Sequence, residues 1–314
     1  MIKSLLHMTA PLREDLEIAY HDLGPQEEAP RAALVAGLHG NELNGMFVVA
    51  RLASFLKGLL STSGKMRLAS RVLLIPSVNV FGMNTRQRLW PFDNTDINRM
   101  FPGYDQGETS QRIAAHLFKA TEKAYYRLDF HSSNLHFEEI PQVCLFQPTQ
   151  KERESAFHFG FPAIIEQKPD KIISTTLGSA WKSKGGENFV IQAGYAGGLQ
   201  PHYCEVLFEA VIRFFIRAGI MTGCALAERE QESHYFGIDQ SVSVHSECAG
   251  VFVPKLEVGH WVRKGELLGF LYDGFEGTLR SEVKAPASGL LGGLRHHPLI
   301  FEGDLMTRVL TLPK

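Results

Sequence analysis

Two residues three positions apart, His39 and Glu42, stand out because together they can hold a metal ion. They lie in Gly37-Leu-His-Gly-Asn-Glu42, directly after the apolar run Ala32-Ala-Leu-Val-Ala36. An imidazole nitrogen and a carboxylate oxygen can each sit about 2.0–2.2 Å from one zinc ion. A catalytic zinc also needs a third protein ligand and an open position for water. Arg127-Leu-Asp-Phe-His-Ser-Ser133 offers that ligand as His131, at the end of a second strand-like run. A His-x-x-Glu pair by itself recurs by chance. Two strand ends meeting at one edge of a parallel sheet give it context, since open α/β sheets bind their ligands at that edge.

The elements that must deliver these residues can be read from periodicity. Residues 32–36 lack polar alternation, as in a parallel strand covered on both faces, and Gly37 and Gly40 permit a sharp turn after it. From Asn44 the apolar residues Met46, Phe47, Val49, Ala50, Leu52, Ala53 and Leu56 recur at helical spacing up to Gly58. Residues 16–23 alternate like an edge strand, and Arg71–Pro76 reads as a buried one. Residues 79–109 form a long turn-rich stretch whose Phe81, Trp90, Phe92, Phe101 and Tyr104 favour a packed, functional loop. A helix over 110–124 leads to the strand ending at His131. Strands at 141–146, 161–166 and 188–194 follow, with helices at 152–158, 174–184 and 201–217. Gly219 fits the stop of the last helix. This alternation predicts an α/β fold: a mixed, mainly parallel sheet with helices on both faces.

After about residue 222 the pattern changes to short strand-like pieces punctuated by glycine. Gly250–Leu268 resembles Gly289–Met306, each with a Gly-acid-Leu near its end, as expected of two halves closing into a small all-β barrel or sandwich. The expected units are therefore 1–221 and 222–314, in line with about 100–200 residues per domain. Lys plus Arg total 32 and Asp plus Glu 34, so the net charge of -2 gives no field to draw nucleic acid or an anionic membrane. No apolar stretch reaches the ~20 residues that span a bilayer. The first eleven residues lack a core of signal-peptide length. Cys144, Cys204, Cys224 and Cys248 are widely spaced, with no C-x-x-C pair. These features point to a soluble cytoplasmic protein.

Several blocks stand together in order: Gly37-Leu-His-Gly-Asn-Glu42, Asn79 with Gly82, Arg88-Leu-Trp-Pro-Phe-Asp93, Asp96-Ile-Asn-Arg-Met-Phe-Pro-Gly103 and Asp129-Phe-His131. Over residues 30–220 the chain resembles the succinylglutamate desuccinylase and aspartoacylase family, which has a zinc carboxypeptidase-like fold. The glycine-punctuated tail is similar to the β-domain that many members carry. The resemblance implies one zinc ion on His39, Glu42 and His131. It makes Arg88 a candidate for polarising the scissile carbonyl, and Asn98 and Arg99 candidates for gripping a substrate carboxylate. Asp129, on the same side of its strand as His131, is a candidate partner for that ring. The chemistry suits the residue types: a guanidinium stabilises a developing oxyanion and matches a carboxylate bidentately. Arg86 would replace Arg88 under a shifted loop register.

One position departs from the family. Where members carry a glutamate that acts as general base, Val190-Ile-Gln-Ala-Gly194 places Gln192, and an amide cannot accept the proton. Glu187 and Glu205 flank the segment as possible substitutes. His136, His158, His202, His260, His296 and His297 have no ligand spacing to the first block and read as surface or packing residues. Gly194-Tyr-Ala-Gly-Gly198 reads as a strand-to-helix turn, since it lacks a phosphate loop's Gly-Lys-Ser/Thr ending. The function expected is zinc-dependent deacylation of a small N-acyl amino acid bearing a carboxylate. The alternatives are a metal-binding protein of the same fold with little or no amidase activity, and a metallocarboxypeptidase.

Overall fold

The structure is a computed structural model describing residues 1–12, 15–62, 64–168, 174–225 and 232–312. Its first half contains β1 Ile2–Met8, β2 Leu16–Leu23, β3 Ala32–Val35, α1 Leu43–Leu60, β4 Arg67–Leu68 and β5 Val72–Ile75. The loop stretch contributes the short α2 Val80–Thr85 and leads to α3 Thr109–Thr121 and β6 Tyr126–Ser133. Next come β7 Phe137–Phe146, α4 Gln150–Ala156, β8 Ala163–Gln167, α5 Leu177–Lys182, β9 Glu187–Tyr195 and α6 Pro201–Arg217. The sheet runs β1-β2-β5-β3-β6-β9-β7 and continues into strands of the tail. β3 is parallel to β5 and β6, and β6 to β9, which gives the parallel core read from the sequence.

Side-chain parity explains the two covering layers. Successive residues of a strand face opposite sides, so Ala32 and Leu34 pack with α1 and α6 while Ala33 and Val35 pack toward α3 and α5. On β6, Leu128 and Phe130 join the α1/α6 side. Asp129 and His131, of opposite parity, face the other way. The 18-residue α1 is long and apolar enough to cross a membrane by composition. Its Val48, Val49, Leu52, Ala53 and Leu56 are instead buried in the protein core. α6 starts with Pro201 in its first turn, where the missing N–H costs nothing.

The tail contains β10 Met221–Thr222, β11 His234–Phe236, β12 Ser241–His245, β13 Gly250–Pro254, β14 Trp261–Val262 and β15 Leu267–Tyr272. It ends with β16 Leu279–Lys284, β17 Gly289–Arg295, β18 Leu299–Ile300 and β19 Leu305–Leu310. Its described residues form no helix. The two similar segments adopt the same order of strand, short strand, strand. They exchange their short strands: β14 pairs with β17, and β18 pairs with β13. Gly265 and Gly303, in matching turns, both take φ of +84°, a region that favours glycine. The tail is also laced to the α/β half. β11 runs parallel to β8, and β17 pairs with β7 through Gly293, Leu294 and Arg295 opposite Glu139, Glu138 and Phe137. That second seam brings the tail over the cavity beside His131.

Candidate active site

The turn after β3 is shaped by its glycines. Gly37 has φ +68°, and a Cβ on Gly40 would meet the Gly82 backbone carbon at 2.2 Å, so this loop and α2 touch backbone to backbone. Asn79 locks the contact. Its Oδ1 accepts from the Gly82 N–H at 2.8 Å, and its Nδ2 donates to the Arg88 carbonyl at 3.2 Å. The Gly40 N–H donates to the same carbonyl at 3.1 Å. These bonds set Arg88 beside the loop carrying His39 and Glu42. Glu42 precedes the first turn of α1, where the helix N-terminus favours a negative charge.

The three expected ligands converge. One ligand atom from each of His39, Glu42 and His131 lies within 4.8 Å of the others, and the imidazole centroids are 5.1 Å apart. His39 Nδ1 is 2.8 Å from Glu42 Oε1, and His131 Nδ1 is 3.0 Å from Glu42 Oε2. The opposite ring nitrogens face aspartates: His39 Nε2 lies 3.1 Å from Asp96 Oδ1, and His131 Nε2 lies 3.0 Å from Asp129 Oδ2. Each imidazole is thus held from behind by a carboxylate, the arrangement that orients metal-binding histidines. Two nitrogens and a carboxylate that converge while their outer atoms are held suit zinc. Asp129 Oδ1 is buried without a hydrogen-bond partner, as a polar atom of a functional site can be.

The electrostatics follow from burial and pairing. Burial disfavours the charged form of Glu42, but the two histidines outweigh it and hold the carboxyl well below the usual range. Burial likewise opposes a charged His131, yet Asp129 and then Glu42 carry its pKa up to about 10. His39 is raised as well, with burial opposing and Glu42 and Asp96 prevailing. Asp96, despite burial, is lowered to about 2 by His39 and the nearby Arg88 and Arg99. Arg88 donates from Nη1 to Glu42 Oε1 at 3.0 Å, and its Nη2 is 3.0 Å from His39 Nε2.

His39, Glu42, Arg88, Asp129 and His131 line one cavity of about 610 Å³, together with Asn98, Arg99, Gln192 and, from the tail, Leu305 and Arg308. Asn98 is buried. Its Oδ1 accepts from the Leu177 N–H at 3.0 Å, and its Nδ2 is 3.5 Å from His131 Nε2, so it supports the site wall. Arg99 donates to the Asn98 carbonyl at 3.3 Å and borders the cavity. Arg86 lies outside it, exposed at the left-handed end of α2, so Arg88 is the arginine at His39 and Glu42.

The substitute bases fare differently. Glu187 sits at the start of β9, accepting from the Tyr125 hydroxyl at 2.9 Å, and Glu205 pairs with Arg51 at 2.5 Å on the α1/α6 side. Neither borders the cavity. His136 is exposed, as expected, and also borders the cavity. Asp96 was readable only as a member of a block, although its spacing to Asn98 is that of a cap: its Oδ1 accepts from the Asn98 N–H at 2.9 Å. Two further residues escaped the sequence reading. Glu139 accepts hydrogen bonds from Gln192 Nε2 and from Arg308 Nη1. Neither contact leaves a local spacing signal, because 53 and 169 positions separate the partners.

Comparison with known proteins gives the family and the fold. Residues 28–214 match the succinylglutamate desuccinylase/aspartoacylase catalytic domain. The chain belongs to this family. A curated relative, the N-alpha-acetyl-L-2,4-diaminobutyric acid deacetylase of Halomonas elongata, is 25% identical over 288 residues, covering 88% of this chain and 81% of that protein. Among solved structures, the product-bound ectoine utilization protein EutE (DoeB) from Ruegeria pomeroyi superposes with a TM-score of 0.79 at 20% identity, covering 99% of this chain and 95% of that one. A succinylglutamate desuccinylase/aspartoacylase from Rhodobacter sphaeroides gives 0.79 at 21% identity, with 100% and 96% covered. At these identities the structural likenesses establish the α/β fold. Members of the family are deacylases acting on N-acyl amino acids.

Proposed function

We propose that this protein is a zinc-dependent amidohydrolase that removes the acyl group from a small N-acyl amino acid. The observation that carries the reading is the convergence of His39, Glu42 and His131 beside Arg88 in a single cavity. When bound there, zinc would activate the attacking water and polarise the scissile carbonyl. Asp96 and Asp129 hold the two imidazoles in register. Arg88 presents a guanidinium where negative charge develops on the substrate oxygen. Asn98 and Arg99 form the wall that would receive the substrate carboxylate, with Arg99 as the fork that matches it. The cavity is of small-molecule size. The tail's Leu305 and Arg308 close one side of it, which favours a small amide over a peptide lying in an open groove. The Halomonas relative, named as a deacetylase of an N-acetyl amino acid, supports the substrate class.

Gln192 favours one second reading, a metal-binding protein of this fold that hydrolyses slowly or not at all. One experiment separates the two. Zinc-loaded protein is incubated with N-acetyl and N-succinyl amino acids bearing acidic, neutral and basic side chains, and free amine is quantified. Amine release that disappears on chelation and returns with zinc is expected. No release from any substrate by fully loaded protein would favour the second reading.

A further inference from the structure

We infer that Glu139, on the strand beside Gln192, is the proton acceptor for the attacking water, so that the carboxylate has moved one strand over rather than been lost. The inference rests on the hydrolase reading above. β9 lies between β6 and β7, and Gln192 is paired in register with His131 on one side and Gln142 on the other. Like His131, its side chain faces the cavity. Glu139 reaches it from β7 and accepts from Gln192 Nε2, only one hydrogen bond from the position where the family carries its base. Three acidic side chains border the cavity among the described residues: Glu42, Asp129 and Glu139. Glu42 belongs to the metal ligands and Asp129 holds His131. Glu139 is the acid left for proton transfer.

Its setting fits that task. The residue is only 2% exposed. A buried carboxylate is costly unless it is paired and hydrogen-bonded. Arg308, reaching in from β19, donates to Oε1, and the Gln192 amide donates to Oε2. A carboxylate offers about four acceptor sites, so these two bonds leave room for a water. The amide is also oriented. Cys144 Sγ donates to Gln192 Oε1 at 3.6 Å, and burial pushes that thiol up to about 12, so it stays a donor. Gln192 therefore turns its N–H, and not its oxygen, toward Glu139. Glutamine here acts as a positioning residue. A glutamate in its place would set two carboxylates face to face.

In the reaction, a water O–H bond breaks and its proton passes to the Glu139 carboxylate as the oxygen bonds to the acyl carbon. When the C–N bond breaks, Glu139 returns that proton to the departing nitrogen. The second water proton passes from the new acid to the released amine, giving a carboxylate and an ammonium and leaving Glu139 ionised.

The test compares zinc-loaded wild type with Glu139→Gln, Gln192→Glu and the double exchange. Glu139→Gln is expected to lower kcat by about 10²–10⁴-fold, the usual loss for a positioned base. Its zinc stoichiometry, and its calorimetric Kd for an N-acyl amino acid turned over by the wild type, should stay within a few-fold of wild type. Gln192→Glu is expected to be slower than wild type, and the double exchange, with one carboxylate and one amide restored, to recover most of the rate. A Glu139→Gln protein that keeps kcat within about tenfold, or that loses zinc and substrate binding along with kcat, overturns the assignment. Should that variant fail to fold, Gln192→Glu decides alone: a rise in kcat overturns it and a fall supports it. A loaded wild type that hydrolyses nothing fails the hydrolase reading itself, and the role of Glu139 falls with it.

Discussion

Before zinc can bind, His131 must lose a proton that its surroundings hold tightly. Burial works against the charged ring, but the Asp129 carboxylate, 3.0 Å from Nε2, and Glu42, 3.0 Å from Nδ1, raise its pKa to about 10. At pH 7 the metal therefore competes with a proton held about three units above the solution pH, a cost of about 4 kcal/mol at 1.36 kcal/mol per unit. The sign is fixed by the direction of the shift: below about pH 10 the proton is present, and each unit of rising pH weakens it as a competitor. Apparent zinc affinity should increase about tenfold per unit for this single proton, or roughly a hundredfold between pH 7 and 9. His39 is shifted in the same direction and can steepen the slope. Competition of metal-free protein against a chromophoric chelator of known pH dependence measures this directly. Asp129→Asn removes the strongest charge holding the proton and should flatten the slope. Equal affinity at pH 7 and 9, or a slope unchanged in Asp129→Asn, would refute the argument.

Three further outcomes follow from the geometry. Arg88→Ala should lower kcat by about 10²–10³-fold with a smaller change in KM, the signature of a lost oxyanion partner, in steady-state assays of amine release. Arg99→Ala should raise the half-saturating concentration of an N-acyl amino acid far more than that of the matching C-terminal amide, and equal effects would remove Arg99 from carboxylate recognition. Phe214→Ala empties a fully buried position on α6 between the rings of Phe159 and Phe189, so denaturant unfolding should show a loss of about 3–5 kcal/mol.

The parallel core was legible because a strand covered on both faces must be apolar throughout and a covering helix must repeat its apolar residues every three to four positions. Ala32–Val35 and Pro201–Arg217 follow those rules closely. The convergence of His39, Glu42 and His131 was legible for a related reason. His39 and Glu42 share one turn, while His131 lies near the end of the strand hydrogen-bonded to β3, so local spacing and sheet order suffice to bring them together. Some of the rest was missed at short range. β1 escaped notice, and α2 was hidden in the loop stretch, since six residues carry too few helical turns for periodicity to show.

Tertiary structure alone settled which carboxylates and cations attend the site. Glu187 and Glu205 lie near Gln192 in sequence, yet strand direction and helix packing carry them away from the cavity. Glu139 and Arg308 lie far from it in sequence, yet Glu139 meets its side chain and Arg308 meets Glu139, because β7 pairs with β9 and the tail's β17 pairs with β7 and β19. Hydrogen bonds across a sheet connect residues by register rather than by spacing. Sequence spacing therefore brought the three candidate ligands together, while pairing between distant strands decided which acid meets Gln192 beside them.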